Sequence, residues 1–559
     1  MARIFKVQIM STTRNLLTVD VPEETAIVSL IKDVSKYFDY PILGALMDNE
    51  VVSLDTPIIK NCSIILFTKA DPTGNYIYSR SVHMMLALAV KRLFGKSSDI
   101  IVQNSIDNGV LCELIGVELN KDVLKSIENE MKKIVKEELV FTSLNVRRMD
   151  VIKYLKKQNA PDISGLLKYL TDSFITIYRL DDFYDISMTP LANNTRDLDS
   201  FKLTYIKENN FVLSVPGVSD PDVTLNYKHV PIIYNTFTEY NKWESLNGIT
   251  NVSDLNRIVS KGKAKDIIRI SELYYEGQLH DLADEIYEKK DSVKMILLAG
   301  PSSSGKTTTA NKLSYYLKTK GFNTIVLSTD DYFLEREETP KDENGEYDFE
   351  SLAALDLKLF NKQMSKLLQG DKVLTPEFNF VEGKKEFKKR WIQLHENDIL
   401  IIEGLHCLNE ELTSSIPRKN KFKVFVGPFT QLNLDNHIRI HTSDTRRLRR
   451  IIRDNRTRGY DASSTLAMWH KIRKGEEKYI YPFEKDADRI INSSLVYELG
   501  VLKTYAEPLL FDVEDDDPVY PEALRLINFL RNILPIPSDE IPRDSVLREF
   551  IGGSGFYND

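Results

Sequence analysis

Apolar and polar positions alternate from the start of the chain. Ile4, Val7 and Ile9 fall in one strand-like stretch, and Leu17, Val19 and Val21 alternate in a second, which is the two-residue period of half-buried strands. Pro22 to Thr25 open an expected helix that runs to Phe38, and Val51, Val52 and residues 64–67 supply later strands. From about 71 to 235 the texture is α+β, with helical periodicity over 82–94 and 121–138, the second with a dense charged face. Residues 236–290 hold two or three further helical segments. At Lys294 short apolar runs (295–299, 324–328, 399–402, 424–426 and 489–491) begin to alternate with amphipathic helices. That rhythm predicts a parallel sheet with helical crossovers. Beyond about 511, prolines at 518, 521, 535, 537 and 542 flank one expected helix, 522–534. The pattern divides the chain into a small β-rich unit (1–70), an α+β unit (71–235), a helical connector (236–290), an α/β unit with a parallel sheet (291–510) and a C-terminal helical extension (511–559).

Composition narrows this little. In 559 residues, 42% are hydrophobic and 28% charged, the balance of a globular multidomain protein and not of a disordered one. Lys plus Arg is 74 against 82 for Asp plus Glu, a net charge of -8, which argues against a surface devoted to nucleic acid while leaving room for a local basic patch. Cys62, Cys112 and Cys407 form neither a disulfide scaffold nor a C-x-x-C zinc motif. The longest apolar run, 84–90, is far short of the roughly 20 residues of a membrane helix. The first residues lack a signal-peptide core, so a cytoplasmic setting and no membrane partner are expected.

Gly300-Pro301-Ser302-Ser303-Ser304-Gly305-Lys306-Thr307 matches G-x-x-x-x-G-K-[ST], with an apolar run before it and a helical pattern over 307–318 after it. Such a loop turns successive backbone N–H groups toward phosphate oxygens, and the helix N-terminus adds positive potential. Lys306 would reach the β- and γ-phosphates, and the Thr307 hydroxyl would bind Mg²⁺; Thr308 follows in the same turn. ATP and Mg²⁺ are the expected cofactors. Asp330, Asp331, Tyr332 and Phe333 lie just past the end of an expected strand, where ligands bind in open α/β sheets, so a carboxylate there can accept a hydroxyl proton or hold the metal. Residues 398–402 form a second buried run ending in Glu403, placed to stand beside Mg²⁺. No N-K-x-D sequence marks a GTPase.

These three elements, over about 293–495, resemble the uridine–cytidine kinase and phosphoribulokinase family. The resemblance implies that Asp330 is the general base and that Asp348 holds the ribose hydroxyls, with Tyr332 and Phe333 beside the substrate in altered aromatic order. Where uridine–cytidine kinases carry a Tyr, a His and a Gln to read the base, this chain has Phe378, Gly383 and Met468. Losing such polar readers removes strong discrimination. Seven arginines crowd 446–458; the stretch resembles the family lid, in which Arg450, Arg453 and Arg458 would clamp ATP phosphates while 439–475 closes over the substrates. The implied activity is ATP-dependent phosphorylation of a nucleoside 5′-hydroxyl, with a sugar-phosphate kinase or an ATP-dependent RNA- or tRNA-binding regulator as alternatives. Expected partners are a small nucleoside or sugar acceptor and further copies of the chain, with nucleic acid ranked below them.

Two resemblances lie upstream. Residues 1–70, above all the stretch from Gly44 to Pro57, resemble the TGS domain, a ubiquitin-like β-grasp module. Residues 71–205 resemble the editing domain of threonyl- and alanyl-tRNA synthetases, through Ala89 to Phe94, Ser126 to Ile134 and Tyr178 to Asp185. In active editors two His, a Cys and a further His form the site; here those positions hold Arg80, Met84, Ser187 and Leu191. None suits a zinc site, so editing chemistry is not expected.

Overall fold

The structure is a computed structural model that describes residues 3–158, 160–342, 345–379, 382–388, 390–430 and 432–556. At the N-terminus five strands lie in the order Asn15–Pro22, Ile4–Met10, Cys62–Thr68, Ile42–Met47, Glu50–Val52. Ile4–Met10 runs parallel to Cys62–Thr68 at the centre, and Val7, Ile9, Ile64 and Leu66 fill the core beneath. The helix expected from Pro22 to Phe38 shrinks to one α-turn, Ile31–Val34, flanked by 3₁₀ turns, after a two-residue strand Thr25–Ala26. Tertiary hydrogen bonds explain the difference: Ile27 and Val28 donate their N–H groups to the carbonyls of Thr56 and Leu54, so they cannot start a long helix.

The next unit is built around the helix Pro72–Phe94, whose span from Ile77 to Val90 is almost entirely buried. It begins ten residues earlier than its apolar run indicates, because Pro72 supplies a preformed first turn. The charged helix Lys121–Lys136 is capped by the Asn120 side chain, which accepts from the N–H groups of Asp122 and Val123. These helices pack with a four-stranded sheet ordered Lys202–Lys207, Asn210–Ser214, Gly109–Ile115, Asp99–Ile106, and a three-stranded sheet lies beside them. Three helices follow, Pro231–Asn247, Val252–Ser260 and Ala264–Glu288.

The C-terminal half holds a five-stranded sheet in the order Asn323–Ser328, Asp398–Glu403, Met295–Ala299, Lys421–Gly427, Arg489–Asn492. All four pairings are parallel. The three middle strands are buried along their whole length, as a sheet covered on both faces requires. Helix Tyr520–Leu530 occupies the place expected for 522–534. No helix among the described residues is long and apolar enough to cross a membrane.

The halves meet at several places, among them a seated segment. The segment 432–441, which leads from the fourth sheet strand to the arginine-rich helix, is seated in the α+β unit. Val102 N–H donates to the Asn436 carbonyl at 2.7 Å, and the Asn433 side chain donates to the Val102 carbonyl at 2.8 Å. Asn104 donates to the Thr430 carbonyl at 2.8 Å. The guanidinium of Arg80, which stands at the first lost ligand position, donates to the carbonyl of His437. Buried His437 in turn bridges Asp185 (2.9 Å) and Asp99 (3.0 Å). Burial works against its charge, but the two carboxylates prevail and raise its pKa well above 6.5.

A His held charged in this way stabilises the fold fully below pH 6.5 and loses that contribution as pH rises through its elevated pKa. Removing one partner of such a buried cluster costs about 3–5 kcal/mol. His437→Asn should therefore lower stability by that order below pH 6.5, with the gap to wild type narrowing in the alkaline range. Urea unfolding of both proteins across pH is the measurement, and a gap that ignores pH contradicts the charge assignment.

Candidate active site

Strand register sets the site. Leu298 pairs with Glu403 and Ser328 pairs with Glu403 on the other side, so three strands end side by side and their following loops meet. The phosphate loop leaves Ala299 through Gly300, where a Cβ would lie 2.1 Å from the Val426 carbonyl oxygen; only glycine allows that approach. Ser303 adopts a left-handed conformation, φ 59°, which curls the loop before the helix Lys306–Thr319. Among the described residues, the buried hydroxyls of Ser303 and Ser304 have no hydrogen-bond partner, an arrangement that suits an oxygen-rich anion. Lys306 rests against the Pro301 carbonyl at 3.2 Å.

A cleft of about 850 Å³ lies above these strand ends. Ser302 to Thr307, Asp330, Phe333, Phe378, Glu403, Arg450, Arg453 and Arg458 all line it, so most residues singled out from the sequence meet in one place. Asp330 and Glu403 are its acidic floor. Burial, then the neighbouring Asp330 charge, pushes Glu403 up to about 7 against the pull of Lys306. Burial and Asp331 likewise raise Asp330, opposed by Lys306, Arg458 and Arg453. Asp331 is turned away, paired with Arg390 at 3.1 Å. Two enclosed carboxylates beside a threonine hydroxyl are a hard-oxygen donor set, and Thr307, Asp330 and Glu403 share this cleft, so the residues fit Mg²⁺.

Four expectations need correction. Tyr332 does not face substrate: the 3₁₀ turn Thr329–Tyr332 directs its ring into the core, and its hydroxyl donates to Gln363 at 2.8 Å. Asp348 stands behind the cleft, accepting from Tyr479 at 3.2 Å and from the Glu350 N–H at 3.2 Å. Glu350 lines the cleft in its place, its pKa pushed up to about 7 by burial and by Glu476. Thr308 does not line the cleft itself; it donates at 2.7 Å to Glu549, which does. Finally, the seven arginines do different work. Arg446 and Arg449 have no exposed surface; they donate to the Ser302 carbonyl (2.9 Å) and the Ser303 carbonyl (3.4 Å) and pair with Glu476 and Glu498. Arg447 pairs with Asp444 and Glu522. The inward face of helix Thr442–Arg458 is thus anchored to the phosphate loop and to two buried glutamates.

Other site residues were invisible in sequence. Asp454, fully buried on the arginine helix, holds Arg450 (3.1 Å), Arg453 (2.8 Å) and Arg458 (3.4 Å) in one fan, while Arg450 also donates to the Ser302 hydroxyl at 2.7 Å. Arg336 lines the acceptor side. Gly383, at the position of the missing base-reading His, has φ 68°, and a Cβ there would come within 2.9 Å of the Arg336 side chain; the space left by a side chain is filled by a guanidinium. Phe333 packs on Phe378 and Phe349, with ring centroids 5.7 and 6.2 Å apart, and gives that side an aromatic wall. Met468 is half-buried on the next helix, Ala462–Tyr479, and does not line the cleft.

Comparison with known proteins separates the two halves. Residues 295–498 match the model of the phosphoribulokinase / uridine kinase family. The N-terminal region is similar to threonine–tRNA ligases: 27% identity over 195 residues to that of Clostridium kluyveri, covering 34% of this chain and 30% of the relative. The ligase of Thermotoga neapolitana is 30% identical over 165 residues, 29% of this chain and 26% of the relative. The chain therefore spans less than a third of the length of these relatives. Among solved structures, a putative fructose transport system kinase from Silicibacter sp. covers 38% of this chain with 98% of its own (TM-score 0.28, 16% identity). A possible uridine kinase from Bacillus stearothermophilus covers the same 38% with 98% of its own (TM-score 0.27, 19% identity). The chain thus joins a region similar to threonine–tRNA ligases to a region that matches the phosphoribulokinase / uridine kinase family model.

Proposed function

We propose that the protein transfers the γ-phosphoryl group of ATP to a hydroxyl of a small acceptor, a nucleoside at its 5′ position being the leading choice. The observation that carries this reading is the convergence of a phosphate loop, two enclosed carboxylates and a fan of three arginines on one cleft. Lys306, Arg453 and Arg458 bind the triphosphate and offset the charge that develops on the transferred group. Thr307 and Glu403 would hold Mg²⁺, which supplies further neutralisation of the phosphates. Asp330 accepts the proton of the acceptor hydroxyl as its oxygen attacks phosphorus in line and ADP departs. Glu350, rather than Asp348, is placed to accept from acceptor hydroxyls, and Phe333, Phe349 and Phe378 offer a face on which a base can stack.

Arg336 favours a second acceptor class. A guanidinium lining the cleft next to Gly383 matches a phosphate or carboxylate group. A sugar phosphate is that second reading.

Asp330→Asn should lower turnover by on the order of 10²–10⁴-fold with ATP affinity retained, measured as ADP release alongside calorimetry; near-normal turnover removes Asp330 as the base. An ATP-consumption screen across nucleosides, deoxynucleosides and pentose phosphates separates the acceptors. On a sugar-phosphate acceptor, Arg336→Gln should raise KM roughly 10–100-fold, the loss of about 1.5–3 kcal/mol from a charged hydrogen bond, whereas on a nucleoside KM should stay near wild type. Salt-sensitive tRNA binding with no ATP consumption on any acceptor would replace the kinase reading with an RNA-binding regulator.

A further inference from the structure

The C-terminal tail lies beyond the residues matched by the kinase family, yet it is packed into the nucleotide side of the molecule. Val546, Leu547 and Phe550 have no exposed surface, and the Val546 methyl closes on Gly305, where a Cβ would lie 2.3 Å from it. Buried Lys312, on the helix that follows the phosphate loop, pairs with Asp544 at 2.9 Å and Glu276 at 3.0 Å. The Arg449 guanidinium lies 4.9 Å from the Phe550 ring centroid, and Arg456 donates to the carbonyls of Glu549 (3.0 Å) and Phe550 (3.3 Å). Thr308 is fastened to Glu549 at 2.7 Å. The tail is therefore registered to the phosphate loop and to the arginine helix at once.

A second cavity opens between the last turn of the arginine helix and this tail, and it shares Thr307, Arg453, Thr457, Arg458 and Glu549 with the phosphate cleft. In a loop of this type the lysine reaches the β- and γ-phosphates and the threonine binds their Mg²⁺. The rest of the nucleotide must leave the loop past Thr307, which is the direction of the second cavity. Its tail wall is made of Ile551, Gly552 and Gly553. Both glycines have positive φ, 92° and 71°, and a Cβ on Gly552 would come within 3.2 Å of Arg456 Nη1. Two residues without side chains next to an isoleucine leave a shallow wall against which a flat heterocyclic base and its ribose can pack.

From this arrangement, and resting on the reading of the cleft as a triphosphate site, we infer that residues 549–553 of the C-terminal tail form the nucleoside-side wall of the nucleotide pocket. Glu549 is the positioning residue that ties the wall to the phosphate loop through Thr308. This segment thus completes a site whose phosphate half lies more than two hundred residues earlier in the chain.

The test compares ATP with inorganic tripolyphosphate, which carries the phosphates and no nucleoside, by calorimetry on the full chain with Mg²⁺. Gly553→Trp fills the cavity from the tail, at an exposed position near the end of the described chain; Thr457→Trp fills it from the opposite, exposed helix face. Gly553→Trp should weaken ATP at least tenfold and leave tripolyphosphate within twofold, and Thr457→Trp, at a position the two cavities share, should weaken ATP more than tripolyphosphate. Unchanged ATP affinity in Gly553→Trp overturns the inference, whatever Thr457→Trp does. Equal losses for ATP and tripolyphosphate overturn it as well, since the tail would then act on the phosphate loop alone. A wild type that binds tripolyphosphate as tightly as ATP sinks the nucleoside wall and leaves the phosphate site standing. A wild type that binds neither removes the triphosphate site itself.

Discussion

Two buried guanidinium groups hold this molecule's chemistry in place. Arg446 and Arg449 reach from one helix to consecutive carbonyls of the phosphate loop, and each charge is neutralised by a buried glutamate from a different element, Glu476 or Glu498. Arg449 also donates to the Ser493 carbonyl at 2.8 Å, while the Ser493 hydroxyl donates to the Ser304 carbonyl. Loop, arginine helix and last sheet strand are thereby one electrostatic unit. Buried charges are costly unless fully paired, and here the pairing satisfies loop carbonyls that would otherwise be orphaned by the turn they make. With the inner arginines so occupied, the outer ones can be aimed at the cleft by the single carboxylate of Asp454.

The same economy shapes the acidic side. Asp330 and Asp331 are neighbours in sequence, but the 3₁₀ turn sends one carboxylate to the cleft and the other to Arg390. Enclosure then raises both Asp330 and Glu403, with Asp331 adding to the push on Asp330 and Asp330 to that on Glu403. Carboxylates in that condition take up a cation or a proton readily, which is what a site for metal-bound phosphate and a hydroxyl proton requires.

Much of the C-terminal half was legible in the sequence. Its strands carry short apolar runs, the three middle ones buried along their length because both faces of the parallel sheet are covered, and the phosphate loop announces itself by spacing. What the sequence concealed depended on contacts between distant residues. The run 22–38 reads as a helix until residues 54–56 take its N–H groups. Tyr332 and Phe333 are indistinguishable by pattern, yet only one faces the cleft. The seven arginines look alike in a string; burial alone sorts the clamps Arg446 and Arg449 from the outward Arg450, Arg453 and Arg458. His437 meets Asp99 and Asp185, and Thr308 meets Glu549, across hundreds of residues, and no local signal encodes such meetings.

The seating of segment 432–441 in the α+β unit also bears on how the protein is made. The N-terminal half leaves the ribosome first, and with it Arg80, Asp99, Asp162 and Asp185, whose partners on segment 432–441 are not yet synthesised. Once the segment emerges, His437 and its neighbours satisfy those groups and fix the start of the arginine helix in the same event. Chain order thus makes the older-emerging half a template on which the phosphate-binding half completes itself. A freely expressed C-terminal half would emerge with the same helix but without the socket that sets its first turn.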